Sequence, residues 1–187
     1  MPKIVDHDHY RKELLNQCSK LFAEQGYGSI TMRQIAQGLG VSTGTLYHYF
    51  PSKEGIFIQL IQETCERDVA NFFAQAPSAA TLQERLTTLM TFFLKGYKSY
   101  QQKMLLWVDF YQHGQRNAAE NPSYLGQFWR KTRDQLMTYL ELPAERVDFI
   151  LVFMDGLLVQ CIYDHGHDEA AWLAEQSELL IRLLTAK

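Results

Sequence analysis

Thr31-Met32-Arg33-Gln34-Ile35-Ala36-Gln37-Gly38-Leu39-Gly40-Val41-Ser42-Thr43-Gly44-Thr45-Leu46-Tyr47-His48-Tyr49-Phe50 reads as two short helices and the turn between them. Thr31 has Gln34 three residues on, the pattern of a reciprocal cap, so a helix is expected from Met32 to Leu39. Ile35, Ala36 and Leu39 share its inner face. Gly40 closes it, and Val41 lies in the turn. Ser42 caps a second helix that ends near Phe50, before Pro51-Ser52. Leu46 and Phe50 are four apart and face inward with Val41. This leaves Thr43, Gly44, Tyr47 and His48 on the outer face. Two capped helices at this spacing are a helix-turn-helix. The outer residues suit DNA: hydroxyls and an imidazole bond phosphates or base edges, and a glycine lets the backbone come close.

Outward from this stretch the chain reads as helix throughout. A first helix is expected from His9 to Glu24, with Leu14, Leu15, Cys18, Leu21 and Phe22 on one face. His7-Asp8-His9 is expected as a solvated arm. Helix four runs from Lys53 to Ala76 with Phe57, Leu60, Ile61, Cys65, Val69, Phe72 and Phe73 as its apolar stripe. Thr81 to Glu84 caps a fifth helix reaching Tyr100, and a sixth covers Lys103 to His113. Asn121-Pro122 opens a seventh ending near Leu142. An eighth spans Ala144 to Asp164, and a ninth runs from Asp168 to Leu184. The fold class is all-α: an N-terminal three-helix domain over 1–51 and a six-helix domain over 52–187. From Val147 to Tyr163 helix eight is apolar nearly all round, and helix nine ends in Leu179, Leu180, Ile181, Leu183 and Leu184. Such helices need covering on more than one side, which implies a homodimer through the last two helices. The alternative is a central core helix within one chain.

Composition sets outer bounds. The 187 residues are 47% hydrophobic and 21% charged, which excludes wholesale disorder. Net charge is −3, but up to Lys53 there are 6 Lys/Arg against 4 Asp/Glu, and beyond it 12 against 17. That asymmetry fits a DNA-facing head on an acidic body. The 3 cysteines, Cys18, Cys65 and Cys161, form no CxxC pair, so neither a disulfide framework nor a zinc ribbon is indicated. A start without an apolar signal core, with that cysteine usage, points to the cytoplasm. No apolar run is long enough for a membrane span.

The stretch from Gly26 to Glu54 resembles the TetR family of bacterial transcriptional regulators. The resemblance rests on the Phe22/Gly26 helix end, Thr31 before Ile35-Ala36, Gly40-Val41-Ser42, and Leu46-Tyr47-His48-Tyr49-Phe50 followed by Lys53-Glu54. Met154-Asp155-Gly156-Leu157 resembles the BetI-like branch. The resemblance implies nine helices and a dimeric repressor that occupies a palindromic double-stranded operator and releases it when a small effector binds. It places Thr31 and Arg33 on backbone phosphates, and Thr43, Gly44 and Thr45 near base edges. Ser42 belongs to the same DNA-facing set, and Tyr47, His48 and Lys53 are implied to grip phosphates. Met32 stands where some members carry a base-reading polar side chain.

For the effector, the residues suggest an apolar or aromatic small molecule. Phe72, Phe93, Tyr97, Trp107, Phe110, Tyr111 and Trp129 are the aromatic candidates. Asp155 and Gln160 are polar on an otherwise apolar helix; buried, each needs a partner. Cys161, Asp164, His165, His167 and Asp168 have metal-like spacing but also suit a surface turn, and no metal or cofactor is assigned. No catalytic constellation is readable, so the chain is expected not to be an enzyme. Two other readings stay open: a redox or metal sensor acting through Cys161 or the nearby histidines, and a helical ligand-binding or enzymatic protein with a vestigial helix-turn-helix.

Overall fold

The computed structural model describes residues 6–77, 81–113, 123–163 and 168–186. Among them are eight helices and no strand: α1 (His7–Gln25), α2 (Met32–Gly38), α3 (Thr43–Tyr49), α4 (Lys53–Gln75), α5 (Leu82–His113), α6 (Ser123–Leu140), α7 (Ala144–Tyr163) and α8 (Glu169–Thr185). The all-α class is as expected; the helix count differs. The two helices expected on either side of Gln101-Gln102 are one helix, α5. Lys98 to Lys103 is polar, but it holds no proline, glycine or cap that would end a helix. The start of α1 also differs. Asp6 caps it by accepting the His9 amide, so His7 to His9 are solvent-exposed as expected but form its first turn. Asn121-Pro122 lies outside the described residues.

The described chain groups into two compact units. The first comprises residues 1–66 and 102–122, the second 67–101 and 123–187. In the first, Leu14, Leu15, Cys18 and Phe22 of α1 are buried with Ile35 and Ala36 of α2 and Leu46 and Phe50 of α3. Tyr27 and Phe57 complete this core. The Phe57 and Phe110 rings stack at 4.7 Å, and Tyr27 meets Phe110 edge-on at 4.8 Å. Aromatic pairs at such spacing add to the burial of their area.

The α2–α3 turn has a defined geometry. Gly40 has φ 68°, a left-handed conformation that favours glycine. The Val41 amide donates to the Ala36 carbonyl and the Gly40 amide to that of Gln37, the paired bonds of a Schellman end. In the second unit, Leu86, Met90 and Phe93 of α5 are buried, as are Leu136 and Leu140 of α6, Val147, Ile150 and Leu157 of α7, and Leu173 and Leu180 of α8.

Candidate DNA interface and ligand site

The two short helices are held by the caps their sequence specifies. Thr31 Oγ1 accepts the Gln34 amide, while Gln34 Oε1 accepts the Thr31 amide at 2.9 Å and its hydroxyl at 2.7 Å. Ser42 Oγ accepts the Thr45 amide at 2.9 Å and lies 2.8 Å from Thr45 Oγ1. The Thr31, Ser42 and Thr45 hydroxyls thus carry helix-capping bonds before any DNA is present. Beneath α3, Leu46 and Phe50 are buried, and above it Thr43, Gly44, Tyr47 and His48 are exposed. Tyr47 keeps 51% of its surface accessible, a large exposure for an aromatic ring on a seven-residue helix. Thr31 and Arg33 are exposed on the neighbouring element, whereas Met32 is half-buried.

Lys53 sits differently from the other members of the set. Its Nζ donates to the carbonyls of Tyr27 at 2.8 Å and Ile30 at 2.9 Å, and lies 4.2 Å from the centre of the Tyr27 ring. Burial pulls its ammonium below the ordinary lysine value, against the pull of Glu54 and Asp109. An ammonium has three donors, and the two carbonyls take two of them. Tyr27 is itself held in its neutral form, first by burial and then by Glu54, which hydrogen-bonds its hydroxyl.

Four residues that sequence reasoning missed support the same surface. Arg11 Nε donates to the Tyr49 carbonyl at 3.4 Å, a cation at the C-terminal end of α3, and its guanidinium lies 4.9 Å from the Phe50 ring centre. Tyr49 Oη is 2.8 Å from His7 Nδ1, and the His7 ring meets His48 edge-on at 6.1 Å. Asp109 accepts the amides of Tyr27 and Gly28. These contacts join residues more than thirty positions apart, and no local pattern announces them.

The aromatic ligand candidates distribute over both units. Trp107 stacks on Phe110 at 5.2 Å within the first unit, where Phe110 is part of the buried core. Tyr111 is exposed there. In the second unit Phe72 and Phe93 are buried, Trp129 is exposed, and Tyr97 Oη donates to Glu169 Oε2 at 3.2 Å. Asp155 and Gln160 are exposed in the single chain. Desolvation by surrounding side chains still raises the Asp155 carboxyl above its ordinary value. The second unit also has an open groove of about 880 Å³ whose lining includes Phe73, Tyr139, Arg130, Lys131 and Asp134. None of the nine candidates lines it.

Cys161 is buried, and burial followed by Glu169 raises its thiol above the ordinary value. A thiol held protonated is a poor nucleophile, which weighs against a redox role. Asp164, His165 and His167 lie outside the described residues. Among the described residues no group of three or more His, Cys, Asp or Glu is placed to hold a metal ion. No described helix is long and apolar enough to cross a membrane.

Residues 14–60, which span this head from α1 into α4, match the family model described as bacterial regulatory proteins, tetR family. Over these residues the chain carries the TetR-family N-terminal domain. The chain is 28% identical over 166 residues to the HTH-type transcriptional regulator BetI of Rhizobium meliloti, covering 86% of the chain and 81% of the relative. It is 31% identical over 99 residues to the HTH-type transcriptional repressor KstR2 of Mycobacterium tuberculosis, covering 53% of the chain and 50% of that protein. Among solved structures, a regulator from Saccharomonospora viridis in complex with choline superposes with a TM-score of 0.77 at 18% identity, over 94% of this chain and 96% of that one. The likeness to it shows the fold.

Proposed function

We propose that the chain is a dimeric, ligand-responsive repressor that binds a palindromic operator and is released by a small apolar or aromatic effector. The observation that carries this is the exposed face of α3. Thr43, Gly44, Tyr47 and His48 stand in the open on a helix whose other face is locked down by Leu46 and Phe50. Residues 1–51 form the DNA-binding domain and 52–187 the effector-binding and dimerisation domain. Thr43, Gly44 and Thr45 lie near base edges with Ser42 beside them, and Thr31, Arg33, Tyr47, His48 and Lys53 hold phosphates. The chain works by binding, not by catalysis, and does so in the cytoplasm.

Dimerisation draws support from α7 and α8. Phe149, Val152, Gly156, Gln160 and Tyr163 recur at three- and four-residue spacing and are all exposed, as are Leu179 and Leu183. A single-sided apolar stripe of this kind on two consecutive helices fits a two-fold interface. For the effector, the aromatic residues of the second unit support an apolar contact surface. Solved structures of the same fold include one in complex with choline and one in complex with stearoyl-CoA.

The test is direct. Labelled duplex selected from a random pool by the purified protein is bound, and the complex is challenged with a panel that includes choline and stearoyl-CoA. Release by one member, together with quenching of Trp107 or Trp129 fluorescence, is the expected outcome. Failure to select any duplex overturns the reading.

A further inference from the structure

The α1–α2 turn is held by groups that lie outside the helix-turn-helix itself. Asp109, near the C-terminal end of α5, accepts the Tyr27 amide at 2.6 Å and the Gly28 amide at 3.1 Å, both on Oδ2. Its other oxygen, Oδ1, lies 2.7 Å from His113 Nδ1, one helical turn on. In the same turn the Lys53 ammonium donates to the carbonyls of Tyr27 and Ile30. Residues 27–30 are therefore gripped by a carboxylate on their donors and an ammonium on their acceptors.

The backbone is shaped for this approach. Gly26 has φ 76°, and a Cβ there would stand 2.9 Å from Asp109 Oδ2. A Cβ on Gly28 would meet the His113 ring at 2.8 Å. Both glycines are positions where the chain comes against the Asp109–His113 pair too closely for a side chain. The bonds are charge-assisted and part-buried, so loss of the acceptor removes two strong anchors from the turn. Thr31, which begins α2, follows three residues after Gly28. The start of α2, and through the α2–α3 turn the setting of α3, depend on where this turn is fixed.

We propose that Asp109 is a positioning residue for DNA binding: by accepting the Tyr27 and Gly28 amides together it sets the helix-turn-helix on α5 at the angle that reads sequence. The inference rests on the DNA-binding reading above. It separates two properties of the head. Phosphate contact depends on exposed surface charge, which Asp109 does not supply. Sequence reading depends on the angle of α3, which Asp109 fixes.

The experiment compares wild type, Asp109→Ala and Asp109→Asn on two duplexes, one selected by the wild-type protein and one of scrambled sequence. Circular dichroism and thermal unfolding establish folding, and amide hydrogen exchange reads Tyr27 and Gly28. Asp109→Ala is expected to weaken binding to the selected duplex by roughly tenfold or more. Binding to the scrambled duplex should stay within about twofold, since its phosphate contacts are intact. Exchange at Tyr27 and Gly28 should accelerate. Asp109→Asn keeps an acceptor oxygen and should recover most of the lost discrimination. A folded Asp109→Ala with an unchanged ratio between the duplexes overturns the proposal, and so does equal weakening on both. If Asp109→Ala does not fold, Asp109→Ser, whose hydroxyl is too short to reach both amides, decides: faster exchange with a lowered ratio supports the proposal, and an unchanged ratio overturns it. A wild-type protein that selects no duplex overturns the DNA-binding reading itself, a distinguishable result.

Discussion

Arg33 stands exposed on α2, whereas the Lys53 ammonium donates to the carbonyls of Tyr27 and Ile30. Both are cations beside the same surface, and substitution should separate them. Arg33→Ala should leave stability within about 0.5 kcal/mol, as exposed substitutions do. It should reduce the slope of log affinity against log salt by about 0.9, the share of one phosphate contact. Lys53→Met should instead lower unfolding free energy by about 1–3 kcal/mol, because two carbonyls lose a charged donor. Urea denaturation and salt-dependent binding of the two variants check both.

Asp109 adds a pH dependence. The amides of Gly28 and Tyr27 and the adjacent His113 hold its carboxyl below the ordinary value, against desolvation. A carboxyl lowered on folding contributes stability above its unfolded value of 3.8, and that contribution is lost as pH falls through the lower folded value. Exchange protection of Tyr27 and Gly28 should therefore persist at neutral pH and fail on acidification below that range. In Asp109→Asn this acid limb should be absent. Nothing in the neighbourhood of Asp109 in the sequence marks this role. It faces a turn about eighty residues away, a relation that only the folded chain creates.

At the scale of elements, Gly40 and Gly44 make a contrast between backbone and surface. A Cβ at Gly40 would meet nothing within 4 Å, yet its φ of 68° strains any L side chain. Gly40→Ala should destabilise by about 1 kcal/mol with no steric clash involved. Gly44 is helical, and a Cβ there meets only Ser42 Oγ at 3.7 Å. Gly44→Ala should raise stability by up to about 1 kcal/mol through helix propensity. It should also weaken duplex binding, because the added methyl keeps the α3 backbone off the DNA. Thermal unfolding set beside binding affinity separates the two.

The same elements explain what could be read in advance. Caps are local, so the Thr31/Gln34 and Ser42/Thr45 helix starts were legible, as was the Thr81/Glu84 start of α5. Inward residues at three- and four-residue spacing, such as Leu14, Cys18 and Phe22, were legible for the same reason. The continuity of α5 was not. Its polar middle imitates a connection, and only the absence of a breaker distinguishes it. Asp155 and Gln160 could not be placed either, because a helix apolar on nearly every side does not declare which face the chain itself leaves open.

For the whole molecule, the open face of α7 and α8 carries the argument. Val152 is 69% and Leu183 64% exposed, so charging them disturbs little within one chain. The double variant Val152→Glu/Leu183→Glu should stay folded and sediment as a monomer. It should bind the selected duplex far more weakly, since two linked heads gain affinity by effective concentration. A folded double variant that remains dimeric would move the interface elsewhere. Effector coupling belongs to this scale as well. If an effector weakens duplex binding by a factor in the typical range of roughly 5–150, the duplex must weaken effector binding by the same factor. Trp fluorescence titration with and without duplex measures it.

The central claim is that two copies of the α3 face read one symmetric site. Hydroxyl-radical footprinting of the protein on duplex selected from a random pool tests it most directly. The account predicts an inverted repeat protected on both halves. Half-site centres should lie about 34–36 Å apart, or somewhat more if the dimer is wide. Protection should be lost from both halves together in Val152→Glu/Leu183→Glu. A single asymmetric half-site, fully protected by a monomer, would contradict it.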